Sequence, residues 1–141
     1  MGAPCFFYLF CSHFLFPMKF SLFIPGIIWL IISTILLALP GNDLPKSSFF
    51  NFPYFDKIVH FSIFFLLTFF FSLPFTPPRP RQPFKHWMIG IAISVFAYGV
   101  VMEFVQKYYV SGRSFDLSDI LSDGLGSLGG MLAIKKFFGK K

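Results

Sequence analysis

Four apolar stretches, each long enough to cross a membrane as a helix, follow one another along this sequence: Phe20 to Leu39, Ile58 to Phe75, Trp87 to Gln106, and Leu117 to Phe138. A helix of about 20 mostly apolar residues spans a hydrocarbon core. Open strands cannot cross lipid because their unpaired backbone groups find no water there, and the alternating polarity of a closed barrel is absent. The sequence therefore predicts an all-α integral membrane protein, a four-helix transmembrane up-down bundle.

The composition supports this prediction. Of the 141 residues, 55% are hydrophobic and only 13% are charged, whereas about 25% are charged in an ordinary soluble domain. The fourth stretch carries Asp119 and Asp123 and is weakly apolar. We expect it to span nevertheless, because neighbouring helices can shelter these carboxylates from lipid.

Residues 1–17 form a short segment ahead of the predicted four-helix domain, which covers residues 18–141. The apolar run of this segment is too short to span, and it ends in a proline before Met18. We expect either a misassigned start, with translation beginning at Met18, or an interfacial segment. A cleaved signal fits less well, because the apolar run from Phe20 is too long. Cys5 and Cys11 follow no disulfide or zinc pattern.

The basic residues predict the orientation. One side of the bundle would hold eight of them and no acid: Lys19, Arg79, Arg81, Lys85, Lys135, Lys136, Lys140 and Lys141. The other side would hold all six acids with the remaining basic residues: Asp43, Asp56, Glu103, Asp116, Asp119, Asp123, Lys46, Lys57, Lys107 and Arg113. By the positive-inside rule both termini are cytoplasmic and the mixed-charge side faces out. The net charge of +6 could suggest a nucleic-acid partner, but the basic residues flank apolar helices and have no soluble domain to lie on. We therefore predict the lipid bilayer as partner and no nucleic acid.

The first polar motif, Asp56 to Phe61, opens the second helix. Lys57 and His60 are three residues apart and therefore share a helical face. Together they can contribute to a polar site. Alternatively, Lys57 extends to the headgroups and His60 is an ordinary interfacial histidine.

The second motif places Glu103 and Gln106 on one face of the last turn of the third helix. Glu103 follows an uncharged run, so we expect it to face the bundle, where it can pair with Lys57 or Arg113. That pair would be either functional or purely structural.

The third motif runs from Arg113 into the fourth helix, where Asp116, Asp119 and Asp123 form one stripe. Asp116 is suited to cap the helix, with Asp119 in its first turn, but Asp123 has no such local role. Beyond it, the spacing of Ser122, Gly126 and Gly130 predicts close helix packing.

The order and spacing of these motifs resemble those of the VanZ-like membrane family over roughly Met18 to Lys136. The motifs are DKxxHF, ExxQ, a glycine-arginine turn and D-x-x-D-x-x-x-[ND]-G-x-G. The sequence before Met18 has no counterpart in this pattern. The resemblance marks these positions: Lys57, His60, Glu103, Gln106, Arg113, Asp116, Asp119 and Asp123.

The resemblance implies a small four-helix protein of the bacterial cytoplasmic membrane, multi-pass, associated with resistance to the glycopeptide teicoplanin or with the cell envelope. It implies no particular reaction. Asp123 stands where we expect asparagine in many relatives, so this chain has an additional titratable group there.

We consider three functions. In the first, an outward-facing pocket binds a phosphate-bearing lipid or cell-wall precursor. Lys57 and Arg113 hold the phosphate, and Glu103 or His60 is the candidate catalytic base. The remaining predicted substrate-binding residues are Gln106, Asp116, Asp119 and Asp123.

In the second, the charges only fix helix register and the protein is not catalytic, so enzyme status stays open. The third, an ion pathway, is the least favoured, because the cytoplasmic half has few polar residues. His60, Glu103 and the aspartates offer suitable donors for a divalent metal, but no fixed ligand spacing predicts one. We therefore predict no metal and no cofactor.

Overall fold

A computed structural model describes residues 20–40, 54–76 and 84–139. These ranges are helical throughout their length apart from short turns, and they contain no strand. The α-helices are α1 (Ile24–Ala38), α2 (Phe55–Ser72), α3 (Phe84–Tyr109) and α4 (Leu117–Phe138), and short 3-10 turns occupy Phe20–Phe23 and Leu73–Phe75. The predicted all-α class is confirmed. The predictions for residues 1–17 lie outside the described residues.

Three of the helical segments are long and apolar enough to cross a membrane: Phe20–Ala38, Phe55–Phe75 and His86–Tyr109. The protein is therefore a multi-pass membrane protein. Helix α4 forms at the predicted bounds, but it contains four charged residues and is less apolar than the other three segments. Its crossing of the membrane stays a prediction.

Proline explains where the first two helices end. Leu39 precedes Pro40 and has extended backbone angles, φ −67° and ψ 135°, as expected for a residue before proline. Pro74 lies in the 3-10 turn after α2, and Thr76, which also precedes a proline, is extended as well. Helices α2 and α3 both extend beyond the predicted apolar stretches, because their polar terminal residues continue the helical turn.

Helices α2 and α4 lie side by side in the same direction, and glycines of α4 lie against the backbone of α2. A Cβ atom on Gly126 would collide with the carbonyl oxygen of Phe61, and one on Gly130 with that of Phe65. Side chains at these positions would force the two backbones apart. The close packing predicted from the small residues of α4 is confirmed.

The other helix pairs are joined by specific contacts. Trp29 Nε1 of α1 donates to the carbonyl oxygen of Ile63 at 3.1 Å, and Gln106 Nε2 of α3 donates to that of Leu37 at 3.0 Å. Phe75 and Trp87 stack with ring centroids 5.1 Å apart. The end of α2 therefore lies beside the start of α3, and the ends of α1 and α3 lie together.

The interior of the bundle is narrow and its exterior is apolar. Phe64, Leu67 and Ile134 are at most 1% exposed. By contrast, large aliphatic side chains remain exposed along one helix, α1: Ile24, Ile27, Ile28, Ile31, Ile32 and Ile35. An apolar surface this extensive suits lipid and not water.

Candidate functional site

The charged residues meet at one end of the bundle, where α2 and α4 begin and α3 ends. Residues of these three helices and of the turn before α4 form what we call the charged cluster: Asp56, Lys57, His60, Glu103, Arg113, Asp116, Asp119 and Asp123. Helix direction explains the gathering, because the parallel α2 and α4 bring their polar first turns to the same level.

His60 and Asp123 form a fully buried pair in the deepest part of the cluster. The Nδ1 atom of His60 lies 2.9 Å from Oδ1 of Asp123, and the two side chains are 2% and 1% exposed. A carboxylate facing Nδ1 favours the tautomer that carries its proton there, which leaves a lone pair on Nε2 of the neutral ring. His60 Nε2 is buried and has no hydrogen-bond partner among the described residues. Asp123, which had no local role in the sequence, therefore orients His60.

Lys57 bridges α2 to the start of α4. Its Nζ donates to Oδ2 of Asp116 at 2.9 Å and to Oδ1 of Asp119 at 3.0 Å. An ammonium group has three donors, so one N–H of Lys57 is not used by these carboxylates. The side chain is 28% exposed, so it is not sealed inside the bundle.

Asp116 caps α4, as the sequence predicts. Its Oδ1 accepts hydrogen bonds from the backbone N–H of Ser118 at 2.8 Å and from the Ser118 hydroxyl at 2.6 Å. The Ser118 hydroxyl, Lys57 and the Ser118 backbone N–H all favour the ionised form, so they hold the pKa of Asp116 well below its usual range.

Replacement of Asp116 by alanine should lower the free energy of unfolding by about 1 kcal/mol at pH 7, because the helix cap is lost. A lowered pKa contributes stability above the unfolded value of about 3.9 and loses it as the pH falls. The difference between wild type and Asp116→Ala should therefore shrink below about pH 4. Unfolding in detergent at several pH values measures this. Ser114→Ala, exposed in the same turn, is the control, and a difference that grows in acid would contradict the prediction.

Glu103 is the residue that α3 contributes to the charged cluster. Its Oε1 accepts the backbone N–H of Asp116 at 2.6 Å, and its side chain is buried. Its Oε2 is also buried and finds no hydrogen-bond partner within the part of the chain that the structure describes. The prediction that Glu103 faces the bundle is confirmed, but its bonded partner is the backbone of Asp116, the cap residue of α4, and not a lysine or arginine.

Arg113 and Gln106 have different surroundings. Arg113 Nη1 donates weakly to Oδ1 of Asp56 at 3.4 Å, while its Nε is buried and unpaired within the described ranges. Gln106 is buried, and its Nε2 binds the α1 backbone. Gln106 thus joins two helices, while Arg113 retains a donor that faces no described acceptor.

Comparison with known proteins decides the family. The model of the family described as VanZ/LLP1 matches residues 6–138, nearly the whole chain. The chain belongs to the VanZ/LLP1 family. The match begins ahead of Met18, so part of the segment before Met18 does have a counterpart in the family, contrary to the expectation from the motifs alone.

A curated relative comes from the fission yeast Schizosaccharomyces pombe and is described as uncharacterized. It is 35% identical over 100 residues, which cover 71% of this chain and 54% of the relative. The chain thus spans about half the length of this curated relative. No solved structure matches.

The site of this VanZ/LLP1 protein includes one residue of the first motif that was not selected as a catalytic or binding residue. Asp56 contacts Arg113, and one of its oxygens lies near His60 and Asp119. The available signal was its place as the first residue of the DKxxHF motif, beside Lys57. Local spacing gave no reason to prefer it to a surface acid.

The charged cluster has more carboxyl groups than permanent cations. Among the described residues it contains five carboxyl groups, those of Asp56, Glu103, Asp116, Asp119 and Asp123, and two permanent cations, Lys57 and Arg113. A separate cavity of about 520 Å³ lies between α1, α2 and α3 and is lined mainly by apolar residues such as Leu67, Phe71 and Trp87. None of the cluster carboxylates lines it.

Proposed function

We propose that this VanZ/LLP1 protein crosses the membrane with four alternating helices and binds a phosphate-bearing lipid headgroup at the charged cluster. One observation carries the proposal. Three polar atoms at this end, His60 Nε2, Glu103 Oε2 and Arg113 Nε, are buried and have no partner in the described ranges. Buried polar groups in folded proteins are nearly always paired, so a group of unpaired ones marks a place where a ligand can bind.

Each of these atoms suits a different part of a headgroup. The Arg113 guanidinium offers N–H donors to phosphate oxygens, and Lys57 adds its remaining donor. His60 Nε2 or the Glu103 carboxylate can accept a proton from a hydroxyl or water next to the phosphate. Asp116 and Asp119 hold Lys57 in place, and Asp123 holds His60.

The positive-inside rule supports an outward-facing cluster with both termini in the cytoplasm. A relative in a yeast, an organism without peptidoglycan, favours a lipid headgroup over a cell-wall precursor as the ligand common to the family. We also propose that the protein acts in the bacterial cytoplasmic membrane, where its binding of envelope lipids changes the susceptibility of the cell to teicoplanin.

Glu103→Gln is the most informative variant for this proposal. Glutamine keeps the Oε1 acceptor for Asp116 N–H but replaces the unpaired Oε2 with an amide that cannot take a proton. We expect normal abundance and folding, together with a loss of teicoplanin protection in a bacterial host. Arg113→Lys should lower binding of phosphate-headgroup vesicles by about tenfold, because the planar fork of donors is lost.

The matched control is Lys107→Gln, which removes an exposed cation near the same membrane surface. It should leave both protection and vesicle binding as in wild type. Equal loss of protein abundance in Glu103→Gln and Arg113→Lys would instead show that these side chains are needed only for folding.

A second candidate function is supported by the pairing of charges between helices. Lys57 and His60, both on α2, each bind aspartates of α4. In this alternative the cluster only fixes the register of a non-catalytic interaction protein. Each single change, Lys57→Asp or Asp119→Lys, should then lower stability and protection, and the double variant that exchanges the two residues should restore both. If the cluster binds lipid, the double variant should recover stability but not protection.

A further inference from the structure

We propose that Asp56, His60 and Asp119 form a binding site for a divalent transition-metal ion at the mouth of the charged cluster. One ligand atom from each of these three residues lies within 4.8 Å of the other two. Oxygen and nitrogen ligands bind zinc at about 2.1 Å, so they lie up to about 4 Å from one another around the ion. Small rotations of the side chains bring the three atoms to that spacing.

The orientation of His60 provides an independent observation. Its Nδ1 is held by Asp123, and its buried Nε2 is the ring nitrogen that has no described partner. Metal-binding histidines almost always give their other nitrogen to a carboxylate or carbonyl, which fixes the tautomer and points a lone pair at the ion. The Asp123–His60 pair has the same hydrogen bond, so Nε2 is the ring nitrogen that would bind an ion.

The two aspartates also keep an oxygen for a metal. Lys57 binds Oδ1 of Asp119, and Arg113 binds Oδ1 of Asp56. The Oδ2 atom of each carboxylate lies outside these bonds. The Asp56 side chain is 51% exposed and that of Asp119 is 8% exposed, so an ion can enter from the surface past Asp56 and reach the buried ligands.

Charge and ligand type indicate the class of ion. The surplus of carboxyl groups over permanent cations in the cluster suits a dication. One imidazole nitrogen with two carboxylate oxygens suits zinc or manganese, whereas magnesium and calcium prefer oxygen alone. Three protein ligands leave coordination positions open, and a phosphate oxygen can occupy one of them. When Nε2 of His60 binds the ion, its lone pair is used, and the Glu103 carboxylate is the group that accepts a proton. In that bridging role the inference rests on the proposed function, but metal binding itself can be measured alone.

The test uses the full chain, purified in detergent, stripped with a chelator and equilibrated with Mn²⁺. Elemental analysis after dialysis should give one manganese per chain, and pulsed electron paramagnetic resonance should show coupling to a histidine nitrogen. His60→Gln should abolish this coupling. Asp56→Asn, which changes an exposed side chain and spares the core, should weaken Mn²⁺ binding by about tenfold or more.

His86→Gln is the matched control, because His86 is an exposed histidine at the opposite end of α3. It should leave stoichiometry and nitrogen coupling unchanged. The inference is overturned if wild type binds no stoichiometric manganese, if nitrogen coupling survives in His60→Gln, or if it disappears in His86→Gln.

Vesicles containing a phosphate-monoester lipid separate the two proposals. Manganese binding with the expected coupling but no preference for these vesicles would refute the headgroup function and leave the metal site standing. Vesicle binding that persists in chelator, by a protein that takes up no manganese, would refute the metal site and leave the headgroup function standing.

Discussion

Alanine at both Gly126 and Gly130 is expected to lower the free energy of unfolding by about 3 kcal/mol or more, at the upper end of typical overpacking costs. The reason is the backbone contact between α2 and α4. Each new Cβ would collide with a carbonyl oxygen of α2, that of Phe61 or Phe65, and a backbone cannot rotate aside as a side chain can. The two helices would have to move apart at these contacts.

Gly90→Ala is the matched control, because nothing lies within 4 Å of a Cβ atom built at that glycine of α3. Alanine there should be neutral or slightly stabilising, since alanine favours helix more than glycine by about 1 kcal/mol. Unfolding in mixed detergent, followed by tryptophan fluorescence and helical circular dichroism, measures both. If the double variant were as stable as Gly90→Ala, the close approach of α2 and α4 would be wrong.

Asp123→Ala should also destabilise strongly, by about 3 kcal/mol, because it leaves the buried His60 Nδ1 without an acceptor. Asp123→Asn should cost much less. The amide oxygen of asparagine can accept the same hydrogen bond from Nδ1–H, and asparagine has nearly the same volume as aspartate. The comparison separates the contribution of the hydrogen bond from that of the negative charge.

The same pair of variants tests the chemistry of the site. Asp123→Asn should keep the fold and the hydrogen bond to His60 Nδ1, but it removes the negative charge that faces the ring in wild type. We expect weaker metal binding and partial loss of protection in this variant, at normal abundance. If Asn were as destabilising as Ala, the charge and not the hydrogen bond would hold α2 and α4 together at this level.

The α2–α4 interface also determines the geometry of the site. Gly126 and Gly130 bring the two backbones together, and that proximity places Asp123 within hydrogen-bonding distance of His60. The Gly99 position of α3 adds to this, since a Cβ atom there would meet Asp123 at 2.7 Å and Phe64 at 2.9 Å. Glycines on two helices therefore make room for the buried carboxylate.

Local properties of the sequence were sufficient for the helical class and for α4, whose predicted bounds, Leu117 to Phe138, are those observed. Spacing was also sufficient for the Asp116 cap and for the helix contact at Gly126 and Gly130. These features depend on neighbouring residues in one helix, and helical periodicity fixes them. The charged ends of α2 and α3 were predicted less well, because hydropathy does not show where a helix continues through polar residues.

The sequence by itself determined that the chain forms apolar helices and that the acids of the described residues gather toward one end. Only the tertiary structure decided which partners meet: His60 with Asp123, Lys57 with two aspartates, Glu103 with the backbone of Asp116, and Asp56 with Arg113. The physical reason is that periodicity places a side chain on a helix face but does not choose the facing helix. That choice depends on how closely the backbones approach, and here the glycines of α4 set the distance.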